Sequence, residues 1–161
     1  MTVEIRNRWT GEVICTAETI REAVEQNFNR LDGASLDGAS LVGASLDGAR
    51  LDGASLVGAS LDGARLAWQS HDLLSEILKR AAGDDIDKLK VAGLIMMCRD
   101  KCWKDFLAMR DPLTGWAMDV LAEWVQDGDG APDELREWKK KREQERLHDG
   151  TKATTDNARV R

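Results

Sequence analysis

Histidine occurs only twice and cysteine three times in this 161-residue chain. Nor does any apolar run reach the roughly eighteen residues of a membrane-spanning helix. Each scarcity removes a class of function. His71 and His148 are remote and isolated, and no Ser/His/Asp, Cys/His or phosphate-loop pattern occurs, so the catalytic inventory is thin and no cofactor is expected. Three cysteines in this context predict reduced thiols and a cytoplasmic location. The opening MTVEIRNRWTGEV has no apolar stretch after its basic residues, which predicts no signal peptide. The longest apolar run, Val91–Cys98, has the length of a buried helix. Positive charge is also short in the body. Residues 136–161 hold nine basic and five acidic side chains, so residues 1–135 carry −10 against a total of −6. An acidic body is poorly suited to gripping a phosphate backbone, which needs clustered Lys and Arg.

What the chain has in excess is a five-residue period. Leucine returns at Leu31, Leu36, Leu41, Leu46, Leu51, Leu56, Leu61 and Leu66. Alanine stands two residues before each leucine from Ala34 to Ala64, and glycine two residues after each from Gly33 to Gly63; Asn29 and Trp68 replace them at the ends. A helix turning about 100° per residue would scatter these leucines around its cylinder, and strict strand alternation fails because five is odd. A regular corner in each repeat resolves the conflict: leucine inward, its neighbours outward, then a turn at glycine. A flexible Gly/Ser/Ala linker would not hold leucine to a fixed period.

The segment Asn29–Trp68 resembles the pentapeptide-repeat family, whose pattern is A-(D/N)-L-x-x. All eight leucines fit, although Ser or Arg (Ser35, Arg50, Arg65) stands before leucine where the family usually has Asp or Asn. The resemblance implies a right-handed quadrilateral β-helix with four repeats per coil, hence about two coils here. At ~4.8 Å between strands such a coil is only about 10 Å tall, so its open ends need covers. Stacking four repeats per coil sets Arg30 under Arg50 and Asp32 under Asp52, and pairs Asp37 with Val57 and Val42 with Asp62. No face then carries a continuous acidic stripe.

The flanks read as those covers. Val3 and Ile5, then Val13 and Cys15, alternate with other residues around the turn RWTG, which predicts a hairpin. Ile20, Ala23, Val24 and Phe28 follow at helical spacing. The stretch IRNRWTGEVICTAE is similar to the start of pentapeptide-repeat proteins of tailed phages and prophages. Downstream, Ser70 caps a helix ending near Gly83, and Asp84 and Asp85 start a second running to about Arg99, apolar nearly all round and therefore central. A third spans about residues 101–109. Asp111 and Pro112 open a fourth, with Leu113, Trp116, Ala117, Val120, Leu121, Trp124 and Val125 on one stripe. The fold class is α+β, divided into a hairpin and capping helix (1–28), the repeat (29–68), a helical domain (69–127), a charged helix (132–148) and a disordered tail (149–161).

Few residues suggest a site. Cys98 and Cys102 share a helix face but lack further ligands, so core packing explains them better than metal. Asp127, Asp129 and Asp133 lack the glycine and terminal glutamate of a calcium loop. Trp103, Trp116 and Trp124 lie on apolar stripes and read as packing. The helices' alternating Trp and Leu also suit a two-fold interface, with Trp116, Val120, Trp124 and Trp138 as candidates for a homodimer. Lys139, Lys140, Lys141 and Arg142 are the candidate electrostatic contact, interrupted by Glu143 and Glu145. The expected function is that of a non-enzymatic phage-type accessory protein binding another protein, such as one of a bacterial host, with no membrane contact and no direct grip on nucleic acid. Two alternatives stand beside it. One is a DNA-mimic inhibitor of gyrase or a defence nuclease, since the family resemblance implies that activity in some members. The other is weak nucleic-acid binding through the basic helix.

Overall fold

The computed structural model describes residues 2–98, 103–109 and 111–157. Strands β1 (Val3–Asn7) and β2 (Val13–Ala17) form the antiparallel hairpin, with Ile5 opposite Cys15 and fully buried. The expected inward alternation of β2 breaks at its start. The register shifts after Ile5, so that Arg6 faces Val13 and Ile14 is passed over. That bulge turns Val13 outward, where it is exposed. Helix α1 (Ile20–Gln26) begins at Thr19, whose hydroxyl accepts from the Glu22 amide at 3.1 Å, and buries Ala23 and Val24. Phe28, expected on the same apolar face, is exposed instead because α1 stops at Gln26 and the chain turns through a short 3-10 segment, Phe28–Arg30.

The repeat then winds with a twenty-residue period. Parallel bridges join Ser35 to Ser55, Ser40 to Ser60 and Ser45 to Arg65, so one turn takes four repeats. Leu36 donates to the Ser55 carbonyl and Ser55 back to Ala34, both at 2.8 Å, and the same ladder recurs at each following repeat. Within a repeat, alanine donates back to the preceding leucine, as Ala34 does to Leu31 at 3.0 Å, closing the corner. The glycine between them lies at positive φ, 64° at Gly43 and 70° at Gly58, where a Cβ costs about 1–2 kcal/mol. All eight leucines are buried, with alanines such as Ala44 and Ala64 packed between them. The arrangement is β-helix-like, although only Ala34–Ser35 (β3) is long enough to count as a strand.

Both rims of this coil are closed. At the first turn, β1 adds antiparallel to β3 with Arg6 opposite Ser35, giving the sheet order β2-β1-β3. The Glu25 carboxylate accepts from the Ser45 amide at 2.9 Å, and the Phe28 carbonyl accepts from Arg50 at 2.7 Å. At the last turn, helix α2 (His71–Ala82) supplies Asp72, which accepts from the Gly53 amide at 3.1 Å, and Arg80, which donates to the Leu56 and Ala59 carbonyls. Gln126 reaches the Ala64 carbonyl at 3.1 Å. Backbone groups that a third turn would have paired are thus met by side chains.

Ser70 caps α2 and Asp85 caps α3 (Ile86–Met97), as the sequence indicates. Helix α3 is not buried all round, however. Val91, Ala92 and Ile95 face the core, whereas Ile86 is 65% and Met97 75% exposed, because α2 and α5 flank one side of it. Helix α4 (Trp103–Ala108) buries Phe106; residues 101 and 102 lie outside the described segments. Asp111 accepts from the Leu113 amide at 2.8 Å and starts the turn leading into α5 (Thr114–Ala122). Helix α6 (Asp133–Asn157) passes the expected end at His148. No proline interrupts it, and Gly150 costs only about 1 kcal/mol against alanine while each peptide keeps its local hydrogen bond. The core is continuous from the leucine column through Leu74, Leu78 and Ala92 to Leu121 and Leu135. The segment 69–127, read from sequence as a separate domain, therefore shares its core with the repeat. No helix among the described residues is long and apolar enough to cross a membrane.

Candidate interaction surfaces

The four candidate interface residues are largely engaged within the chain. Trp116, Val120, Trp124 and Trp138 are all partly buried against the core. The Trp138 indole donates to Asp119 at 2.7 Å, its ring rests beside Gly115, and the Arg142 guanidinium lies 5.1 Å above it. Lys88 sits 5.6 Å from the centre of the Trp116 ring. These contacts dock α6 on α5 and α3 near α5 rather than leave an aromatic face open.

The basic run is similarly tied down. Arg142 makes a two-pronged contact with Asp119, at 2.8 and 3.1 Å, and a further one with Glu145 at 3.1 Å. Lys139 donates to the Val125 carbonyl at 2.7 Å, just past the end of α5, and Lys141 stands 4.0 Å from Glu145. Lys140 alone of the four makes neither ion pair nor hydrogen bond among the described residues. A row of cations that reads as a tail in sequence is mostly an intramolecular fastening.

A second fastening was not legible as such. Asp129 is fully buried, and its carboxylate accepts from the Trp68 indole at 3.1 Å, the Gln126 amide at 2.8 Å, the Ala131 amide at 3.0 Å and the Arg136 guanidinium. Burial by itself would push this carboxyl up. The backbone N–H groups, the indole and Arg136 together outweigh it and hold the group below the usual carboxylate range. With both oxygens taken by protein donors, the loop 127–133 is built around an internal knot rather than open to a cation.

Neither described thiol is fully exposed. Cys98 is buried at the end of α3, its Sγ 4.0 Å from the Met109 sulfur; Cys102, its candidate partner, lies outside the described residues. Cys15 is half-buried beside the Ala23 carbonyl, and burial pushes its thiol up despite the nearby Arg30. A raised thiol pKa does not suit a nucleophile.

On the coil's outer surface the acidic columns are broken. Asp32 pairs with Arg50 at 2.7 Å, Asp37 accepts from the Val57 amide at 3.0 Å and from the Ser55 hydroxyl, and Val42 and Val57 are exposed. Of the large apolar side chains in the hairpin and coil, Trp9 is the most exposed, at 66%, on the tip of the hairpin. Its sequence context, RWTG, signals only a turn. The ring's edge covers Gly33 and Gly53, stacked glycines of two successive turns, and the Arg8 guanidinium lies 5.4 Å from its centre.

Among known families, the model for pentapeptide repeats matches residues 30–66 in eight copies. No curated protein and no solved structure matches the chain.

Proposed function

Since residues 30–66 make this chain a pentapeptide-repeat protein, we propose that it is a non-enzymatic accessory protein of phage or prophage type that acts by binding another protein. In this reading the repeat is a right-handed quadrilateral β-helix of two coils serving as a rigid connector. The partner is a protein of the bacterial cytoplasm, and the active form is a homodimer. The observation that carries the reading is the closure of both rims. The hairpin joins one end through β1 and β3, while Arg80, Asp72 and Gln126 lock the helices onto the other. Elements so clamped present fixed surfaces on opposite ends of one body, which lowers the ordering cost of binding.

The DNA-mimic alternative draws support from the acidic body, −10 over residues 1–135, but the Asp32–Arg50 pair and the exposed valines interrupt the charge on the coil itself. The basic-helix alternative is weakened by the engagement of Lys139 and Arg142. Capture of partners from bacterial lysate, with and without nuclease, separates the three. The expected outcome is a stoichiometric protein partner retained after nuclease digestion. Recovery of gyrase or a nuclease would favour mimicry, and loss of the partner on digestion would favour nucleic-acid binding.

A further inference from the structure

We propose that the hairpin tip and the adjoining first face of the coil, centred on Trp9, form the docking surface for a partner protein segment that presents an apolar or aromatic side chain flanked by carboxylates. The inference rests on the protein-binding reading above and names where and what it binds. Trp9 is 66% exposed, whereas the helical tryptophans are packed against the core. It is nevertheless held in place. The Asn7 side chain accepts from the Trp9 and Thr10 amides at 2.9 and 3.0 Å, fixing the turn, and the ring seats on Gly33 and Gly53. A Cβ at either glycine would stand 2.5 Å from the ring, while Gly38, Gly48 and Gly63 have open space in the same direction. The seat is therefore a local feature of this corner, not of the repeat in general. An aromatic anchor already fixed in the free protein loses little freedom on binding, which is the usual condition of an interface hot spot.

Charge decides the partner's character. Of the arginines in the hairpin, α1 and the first turn, Arg6 pairs with Glu4, Arg21 with Glu25 and Arg50 with Asp32. Arg8 and Arg30 make no ion pair among the described residues. Arg8 lies over the Trp9 ring, and Arg30 occupies the same repeat as Gly33. Phe28, exposed, opens the short 3-10 segment that carries Arg30, and its carbonyl accepts from the Arg50 amide. The Arg8 guanidinium, over the Trp9 ring, also donates to the Gly53 carbonyl at 3.4 Å. The charges of Arg8 and Arg30 are met by no carboxylate among the described residues and call for carboxylates on the incoming chain. A polyphosphate backbone would meet the same cations, but also Asp32, Asp52 and the acidic remainder within about one Debye length, ~8 Å.

The test is selection of displayed random twelve-residue peptides on the full-length protein, followed by titration of labelled winners. Winners should join an apolar or aromatic residue to Asp or Glu. Arg30→Glu and Trp9→Ala should each weaken them at least tenfold, Trp9→Phe much less, and Lys140→Glu not at all. Because Trp9→Ala can also loosen the hairpin, Arg30→Glu with an unchanged thermal melt is the deciding variant. Winners without carboxylates, or indifferent to Arg30→Glu, would overturn the proposal. So would a labelled oligonucleotide that binds with the same Arg30 and Trp9 dependence. If a partner captured from lysate is retained equally by Arg30→Glu and Trp9→Ala, this surface is wrong while the protein-binding reading stands; if no protein is captured, that reading itself fails.

Discussion

Trp68 ends the leucine coil and donates its indole N–H to Asp129, 61 positions later, at 3.1 Å. The bond ties the last turn of the repeat to the loop between α5 and α6, and Arg136 of α6 meets the same carboxylate. Removing it should be costly. Asp129→Ala leaves an indole, two amides and a guanidinium without their acceptor in a buried site, a loss of about 3–5 kcal/mol. Denaturant unfolding should show that loss, together with faster hydrogen exchange in α6.

The same group sets an acid limit. The folded-state pKa of Asp129 is depressed, so its contribution is complete above the unfolded carboxylate value of about 3.9 and is lost as pH falls toward the folded value. Stability of the wild type should therefore fall below about pH 4 more steeply than that of Asp129→Asn, which starts lower but cannot titrate there. Parallel slopes for the two proteins would remove Asp129 from the account.

The leucine column offers the plainest check on the coil. Leu51→Ala empties a fully buried position between turns and should cost about 2–5 kcal/mol, whereas Val42→Asp, outward and exposed, should stay within roughly 0.5 kcal/mol. Equal melts for the two variants would contradict the inward and outward assignment.

Much of this was legible in sequence because it is local. A leucine every fifth residue with a glycine corner specifies its own turn, and Ser70 and Asp85 cap helices through amides two or three positions away. What was missed depends on distant chain. Nothing in DGDGAPDE reveals that Asp129 will meet Trp68, and nothing in RWTG reveals that Trp9 will find two glycines stacked by a twenty-residue period. The Lys139–Arg142 run was read by its charge, yet its role follows from Asp119 on another helix. The bulge at β2 reversed Val13 because one passed-over residue inverts the alternation.

Gly33 and Gly38 separate backbone strain from contact. Both lie at positive φ, 69° and 66°, but only at Gly33 would a Cβ strike Trp9. Gly38→Ala should cost about 1–2 kcal/mol, and Gly33→Ala more. Most of the excess at Gly33 should be relieved in a Trp9→Ala background, leaving the share owed to Asn7 Nδ2, which stands 2.9 Å from the same Cβ, read as a double-mutant cycle by thermal or chemical unfolding. An excess undiminished without the ring would mean that Trp9 does not occupy this seat.

The proposed homodimer needs an apolar surface, and the helical tryptophans leave little of theirs open. Ile86 and Met97, eleven residues apart on α3 and so on nearly one line of the helix, are the exposed alternative. Sedimentation at micromolar concentration should give twice the 17.8 kDa chain mass, and Met97→Glu should shift it toward the monomer. A single 17.8 kDa species in the wild type would end the dimer proposal.

Duplex DNA provides the sharpest contrast for the charged helix. Four neighbouring cations bound the salt dependence at a slope near −4, and even that needs all of them free to release counterions. Here Arg142 already holds Asp119, Lys139 holds a carbonyl and Lys141 stands by Glu145, while the −10 of the body repels the same phosphates. A gel shift at 0.15 M salt should therefore show no useful affinity, with or without residues 136–161. Arg142→Ala should instead loosen α6 from α5, seen as faster exchange of α6 amides and a changed environment for Trp138 in near-ultraviolet fluorescence. Tail-dependent submicromolar binding in that buffer would reverse the assignment and make the basic run a nucleic-acid contact after all.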